Sequence, residues 1–464
     1  MSRIEKDYLG EIELPDDAYY GVQTARALKN FPVSGITERP EFIKAYVLVK
    51  KSAALVNMEL GELDEEKGNA IVKAADDVLS EGYENQFPVD VFQAGAGTSF
   101  NMNINEVLAN RALEILGREK GEYDFLSPND HVNMAQSTND TFPTASHIAV
   151  IISADNLMKA LSDLSGAFAL KGKDFAHISK SGRTHLMDAT PLTLGHEFSA
   201  YASAIQRAKD RIALTRDGLL ELAIGGTAVG TGANAHTQYR KVMIRTLSVL
   251  CDMEFIPAKD SFEALQSRSQ MAAFSGALRE LAFELIRIAN DLRLLASGPT
   301  AGLAEIRLPA VQPGSSIMPG KINPVMAECL NMVAFQVIGN DAAVAMAAQA
   351  GQLDLNVMTP VMTYNILFSL EILNNYLPVF RQRCIEGIVA NEVKSQAYLE
   401  LNPSLATLLA PKIGFMEAAQ LAKEAYEKGV SVPKLAVEKG LITREEADEI
   451  FDVEKIAKGK YEKK

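Results

Sequence analysis

The feature that most constrains this chain is a series of long apolar-periodic stretches: Pro143 to Phe175, Pro191 to Leu222, Phe262 to Leu295, Pro324 to Ala348 and Pro360 to Ile388. Apolar residues recur in them every three or four positions, which is the period of a helix with one buried face. In the third stretch, Leu278, Leu281, Leu285, Ile288, Leu292 and Leu295 form such a stripe. Helices of roughly 30 residues reach about 45 Å. Five of them predict an all-α class built on a long bundle. Pro143 reads as a first helical residue, with Asp140 and Thr141 as caps. Ala342 to Ala350 is apolar on more than one face, as in a helix buried on several sides. Five helices bury limited volume of their own, so the pattern also predicts an oligomer.

The flanks differ in character. Leu9 to Val22 holds Gly10, Pro15 and Gly21 and reads as loop with a short hairpin. Pro40 to Leu60 and Asp64 to Ser80 read as helices, and Asn101 to Leu116 as another after the break at Gly95 to Thr98. After about Ala390 the chain becomes more charged and its helices shorten. Met416 to Lys428 reads as one helix. Ser431-Val432-Pro433 and the capping-like Thr443-Arg444-Glu445-Glu446 start two more. The predicted organisation is therefore three domains: 1–139, mixed and mostly helical; 140–390, the long bundle; and 391–464, small and helical.

Composition removes several function classes. The chain has 464 residues, 47% of them hydrophobic and 23% charged, which is ordinary for a globular protein. Its net charge is −13 with no basic cluster, so no nucleic-acid partner is expected. An anionic substrate must have its charge met locally. The N-terminus lacks the apolar core of a signal peptide, and no uncharged apolar run reaches about 18 residues, so neither secretion nor a membrane span is expected. Cys251, Cys329 and Cys384 are odd in number and far apart. They read as reduced thiols of a cytoplasmic protein. No metal-ligand cluster or cofactor fingerprint is visible.

Four polar or glycine-rich segments sit between strong helices, where a rigid scaffold presents functional loops. Gly95-Ala96-Gly97-Thr98-Ser99 places small residues and hydroxyls at a helix start, which suits an anion, although a plain helix cap explains it too. Asn129 to Asp140 is polar except for Val132, Met134 and Ala135, and stacks Ser137, Thr138 and Asn139 before a long apolar helix. In Ser181 to Pro191, His185 follows a glycine turn beside Thr184, a better placement for acid–base work than a core histidine has. Gln312 to Pro324 combines Ser315, Ser316 and Lys321. A serine pair close to a lysine reads as an activated nucleophile or base. Ile317 and Met318 argue against a freely solvated loop.

The run GSSIMPGKINP, Gly314 to Pro324, resembles the signature loop of the aspartase/fumarase superfamily. The other three segments resemble that family's remaining active-site regions in the same order. The likeness runs from about Lys6 to Ile388 and is looser afterward. It implies an all-helical fold of three domains whose central five-helix bundle forms a twenty-helix core in a homotetramer, with each active site shared by three subunits. GAGTS at Gly95 to Ser99, QSTND at Gln136 to Asp140 and the opening YLGEIELPDDAYYG are similar to aspartate ammonia-lyases. DATPLTLG at Asp188 to Gly195, GGTAVGTG at Gly225 to Gly232 and FEAL at Phe262 to Leu265 lean toward class II fumarases.

The implied activity is reversible anti elimination of ammonia from L-aspartate to give fumarate. The alternatives are a class II fumarate hydratase and a carbon–nitrogen lyase for an N-substituted aspartate. A non-catalytic structural relative is disfavoured by retention of the polar residues. By resemblance, Ser315 is the base. Thr98, Ser137, Thr138 and the loop around Ser316 bind the carboxylate that gains charge. Lys321, Asn323 and Thr184 bind the other carboxylate. Asn139, Thr184 and His185 surround the amino group, and Glu328 pairs with the histidine. Two departures stand out. Met187 replaces a usual glutamine, and Ala410-Pro411-Lys412 replaces a usual Asn-Pro.

Overall fold

The computed structural model describes residues 2–80 and 82–457; the last seven residues of the predicted third domain, 458–464, lie outside them. The chain opens with an antiparallel hairpin of β1 (Ser2–Asp7) and β2 (Gly10–Pro15). Four helices follow: α1 (Val22–Asn30), α2 (Pro40–Glu59), α3 (Glu65–Ser80) and α4 (Thr98–Ile115). The start of α1 has no side-chain cap of its own. The buried Glu106 carboxylate of α4 serves instead. It accepts from the amides of Gly21, Gln23 and Thr24 and from Thr24 Oγ1 at 2.6–3.1 Å. A Cβ at Gly21 would lie 2.6 Å from Glu5 Oε2 and from the Tyr123 hydroxyl, so only glycine fits this junction.

The five long helices are α5 (Thr138–Asp174), α6 (Leu194–Asp217), α9 (Ser269–Leu295), α10 (Val325–Ala348) and α11 (Thr359–Phe380). Between α6 and α9 lie α7 (Tyr239–Cys251) and α8 (Ser261–Gln266). By compactness the chain divides into two units. One holds Met1–Met158, Asp210–Ala282 and Phe335–Asn374; the other holds Lys159–Lys209, Phe283–Ala334 and Asn375–Lys464. The division falls inside each of the five long helices, so each contributes its ends to different units.

Four expectations need correction. The helix expected from Pro191 begins at Leu194. Pro191 instead belongs to β4 (Met187–Thr193), which pairs antiparallel with β3 (Ser179–Thr184). The register shifts between Ser181 and Gly182, and a residue without an N–H is tolerated beside such a bulge. The stretch from Phe262 is not one helix. It breaks at Ser267, which is extended at ψ 146°. Arg268 Nη1 then donates to the carbonyls of Ala264 and Ser267 at 2.6 and 2.9 Å, satisfying the end of α8. Pro143 is not a first residue, because α5 already begins at Thr138. The cap lies earlier, with the amide of Asn139 donating to Ser137 Oγ at 3.2 Å. The stretch to Ile388 also ends early, with α11 closing at Phe380 before a π-turn over Arg381–Ile385.

Among the described residues one helix, α10, is long and apolar enough to cross a membrane by length and composition alone. Its Asp341 is buried and accepts from Ser275 Oγ and Arg279 Nη1, both at 2.7 Å. A buried, paired carboxylate is what a protein core provides.

The C-terminal segment is built of α12 (Glu392–Glu400), a 3-10 turn (Pro403–Leu408), α13 (Ala410–Ile413), α14 (Phe415–Lys428), α15 (Val432–Glu438), α16 (Arg444–Ile450) and α17 (Val453–Ala457). Leu405, Leu409, Leu421 and Leu435 form its core. The capping box expected at Thr443 is present, with Glu446 as its reciprocal partner.

Candidate active site

The first group of predicted residues gathers where α4 and α5 begin. Gly95, Ala96 and Gly97 all have positive φ, and a Cβ on Gly97 would fall 2.0 Å from the Phe142 ring of α5. That close approach seats Thr98, which is exposed, at the start of α4. Its hydroxyl donates to Gly95 O at 2.6 Å. Tyr46 ties the two helices together, with its hydroxyl 3.0 Å from Asn101 Oδ1 and 2.9 Å from Thr141 Oγ1. The first amides of each helix have no intrahelical acceptor and make a natural seat for an anion.

Asp140 holds this corner in place. Its Oδ1 accepts from the Ser137 amide at 3.0 Å, and its Oδ2 from the amides of Gly225 and Thr227 at 3.0 and 2.9 Å. Asn139 Nδ2 donates to Ala228 O at 2.8 Å. The Gly225–Gly232 loop is thus docked on the start of α5. Beneath it lies Lys50, which is fully buried and donates to Asn133 Oδ1 and Gln136 Oε1, both at 2.9 Å. Burial draws the Lys50 ammonium down to about 7 and pushes the Asp140 carboxyl up to about 7, and each opposes the other's shift by its charge. Sequence reasoning missed Lys50. The available signal was a lysine on the apolar face of α2, in line with Tyr46, Val49 and Ala53.

The second group sits at the tip of the β3–β4 hairpin. Thr184 pairs with Met187, leaving His185 and Leu186 as a two-residue turn. Their φ values are 56° and 61°. That is the mirror-image turn which usually takes Asn-Gly, because β-carbons are disfavoured there. Strain of this kind is tolerated when the surroundings fix it. The tip is exposed from Thr184 to Asp188, whereas the base is buried. At the base, Arg183 makes two bonds to the fully buried Glu305 carboxylate at 2.8 and 3.0 Å. Lys180 Nζ lies 3.1 Å from the same carboxylate and 2.6 Å from Glu197. Glu305 and Lys180 had no individual signal in the sequence.

The third group is the loop from Gly314 to Pro324. It is closed by Gly314 N to Lys321 O at 2.8 Å and by Asn323 Nδ2 to Gly314 O at 2.5 Å. A Cβ on Gly314 would meet Lys321 O at 2.4 Å. Within this closed loop Ser315 Oγ accepts from the amides of Ile317 and Met318 at 3.2 and 3.0 Å. Two backbone donors aimed at one hydroxyl oxygen favour its charged form. Ser316 and Lys321 are exposed, and among the described residues no hydrogen bond or ion pair engages Lys321 Nζ. Ile317 is 84% exposed, so the shielding expected from its apolar side chain is not provided within one chain.

Thr98, Ser137, Thr138 and Asn139 thus belong to one unit, and Thr184, His185, Ser315, Ser316, Lys321, Asn323 and Glu328 to the other. Glu328 lies in the first turn of α10. Among the described residues, no hydrogen bond or ion pair joins it to His185 within one chain. Met187, the departure from the family pattern, is 70% exposed beside the hairpin turn.

Residues 10–339 match a family model described as lyase, and residues 405–458 match one described as the fumarase C C-terminus. An aspartate ammonia-lyase from a Bacillus species is 50% identical over 450 residues, covering 97% of this chain and 96% of its own. A class II fumarate hydratase from Bacillus cereus is 46% identical over 456 residues, covering 98% of each. Among solved structures, a fumarate lyase:delta crystallin from Brucella melitensis aligns with a TM-score of 0.95 at 47% identity, over 98% of this chain and all of that one.

Proposed function

This chain belongs to the aspartase/fumarase superfamily of lyases, and on that premise we propose that it is an aspartate ammonia-lyase, removing ammonia from L-aspartate to leave fumarate. The observation that carries this choice over its alternatives is the 50% identity to a protein of that name along nearly the whole of both chains.

In the proposed mechanism Ser315, as its alkoxide, takes a proton from the carbon next to the β-carboxylate. The two amides on its Oγ stabilise that alkoxide. The electron pair moves into the carboxylate as an enediolate. Thr98, Ser137, Thr138 and Ser316 donate to the oxygens that gain charge, and each such donor is worth about 3–4 kcal/mol in the transition state. The pair then returns to form the carbon–carbon double bond, and the carbon–nitrogen bond breaks on the opposite face. Ammonia leaves from the substrate's ammonium group, and the proton on Ser315 passes to solvent. Lys321, Asn323 and Thr184 hold the α-carboxylate, while Asn139, Thr184 and His185 surround the departing nitrogen.

The three groups of residues come together in this reading through a cytoplasmic homotetramer whose sites are each shared by three subunits. The histidine–carboxylate pair is then made between subunits, with His185 facing a Glu328 supplied by another copy. Large apolar side chains exposed on α10, Met332, Phe335 and Met346, support burial by further copies. The division at 1–139, 140–390 and 391–464 belongs to the same proposal.

The test is to supply L-aspartate and L-malate separately and follow fumarate by its ultraviolet absorbance. Fumarate and ammonia in equal amounts from aspartate, with malate inert, is the expected result. Turnover of malate alone would instead establish the hydratase reading, which the 46% identity to a class II fumarate hydratase keeps in view.

A further inference from the structure

The hairpin that carries Thr184 and His185 shifts register between Ser181 and Gly182, and one side chain of the C-terminal segment spans that shift. Asn402 is 1% exposed. Its Nδ2 donates to Ser181 Oγ on β3 at 3.0 Å and to Ala189 O on β4 at 2.8 Å. These acceptors flank the register shift, where Ser181 opposes Pro191 and Gly182 opposes Ala189. Gly182 allows no alternative packing, because a Cβ there would sit 2.6 Å from Thr190 O. Two neighbours reinforce the contact. Ser404 Oγ donates to Asp188 O at 2.8 Å, and the Tyr398 ring lies under the Arg183 guanidinium at 5.7 Å.

A bulge re-aims the strand beyond it, so whatever fixes the bulge fixes the direction of the tip. The tip itself is exposed and its turn residues are strained. Its aim is therefore set from below. The buried Arg183–Glu305 pair holds β3 alone, whereas Asn402 is bonded to both strands. We infer that Asn402 is a positioning residue, setting through its two bonds across the β3–β4 bulge the place from which Thr184 and His185 meet the substrate. This rests on the reading above that those two residues contact L-aspartate.

The same side chain has a second, separable task. Asn402 Oδ1 accepts from the Ser404 amide at 2.8 Å and so caps the Pro403–Leu408 turn. Serine in its place retains an acceptor for that cap and loses both donors to the hairpin. The experiment compares N402S, S404A and T443A with the unaltered full-length chain. Readouts are kcat and KM for L-aspartate, melting temperature and oligomer mass. T443A removes the capping box of α16, remote from the hairpin contacts, and serves as the stability control. In N402S, kcat is expected to fall by about tenfold or more, because displacement of a reacting group by about 1 Å costs that much. KM is expected to change much less, since Lys321 keeps its charge contact with the substrate. S404A is expected to lose about threefold in kcat on the same principle. T443A is expected to melt earlier with kcat unaltered.

Unaltered kcat in N402S, whatever its melting temperature, overturns the inference. If N402S fails to fold, S404A decides, because its hydroxyl is exposed and its loss leaves the core intact; unaltered kcat there overturns the inference too. An unaltered chain that does not turn over L-aspartate fails the earlier reading and this inference with it, whereas an active chain with an indifferent N402S fails this inference alone.

Discussion

Ser315 Oγ lies 3.0 Å from the backbone nitrogen of Met318 and accepts its hydrogen, within a loop sealed by the Gly314 amide on Lys321 O. A hydroxyl is a poor base, and this arrangement lowers the cost of its ionisation by supplying donors already in place. Replacement of Ser315 by alanine removes the proton acceptor but not the bonds that close the loop. S315A is therefore expected to lose turnover of L-aspartate by about a hundredfold to ten-thousandfold while keeping its melting temperature and oligomer mass. Steady-state kinetics with a thermal melt and light scattering check this, and near-normal turnover would remove Ser315 from the role of base.

Asp140 is the structural key of the other corner. Three backbone amides, those of Ser137, Gly225 and Thr227, point at its two oxygens. In D140N one oxygen becomes an NH2 group facing donors, and buried donors lose their acceptor. That is expected to cost about 2–4 kcal/mol of stability. The Gly225–Gly232 loop is released as well, taking Ala228 O from the Asn139 side chain. The melting temperature and kcat/KM for L-aspartate are expected to fall together. A melt identical to that of the unaltered chain would mean that this clamp contributes little.

Glu38 provides a pH signature unconnected with catalysis. It is 4% exposed, and its Oε1 has no hydrogen-bond partner. Burial pushes its carboxyl up to about 8, with Asp90 adding to the shift and Arg39 opposing it. The folded state therefore holds a proton that the unfolded state releases near 4.5. The stability associated with that proton is fully present below about 4.5 and is lost as pH rises through about 8. A shift of this size corresponds to at most about 5 kcal/mol. E38Q, which keeps the neutral shape, is expected to flatten the decline in melting temperature between pH 5 and pH 8, approximate bounds set by that window. Parallel declines in both proteins would show that Glu38 is ionised in the native state.

The sequence made the long helices readable because they are long. In α5, α9, α10 and α11 the helical period persists over more than 20 residues, and no strand or loop imitates that. The Thr443–Glu446 capping box was equally readable, since both members lie within one turn. The β3–β4 hairpin was hidden for a physical reason. Its strands, Ser-Lys-Ser-Gly-Arg-Thr and Met-Asp-Ala-Thr-Pro-Leu-Thr, lack clean apolar alternation, and its turn is His-Leu where glycine or asparagine would have signalled it. Candidate site residues could be found as segments, because hydroxyls and glycines between strong helices stand out. The groups that brace them could not. Glu305 and Asn402 are single residues whose partners lie 122 and 221 positions away. Lys50 lies on the apolar face of α2, but its partners Asn133 and Gln136 are 83 and 86 positions away.

The most direct test of the central claim is the paired reverse reaction. Fumarate loss is followed with and without ammonium, and the product is identified. The account expects loss only when ammonium is present, with L-aspartate as the product and its amino nitrogen taken from the added ammonium. Loss without ammonium, giving L-malate, would contradict it and make the chain a hydratase on the same scaffold.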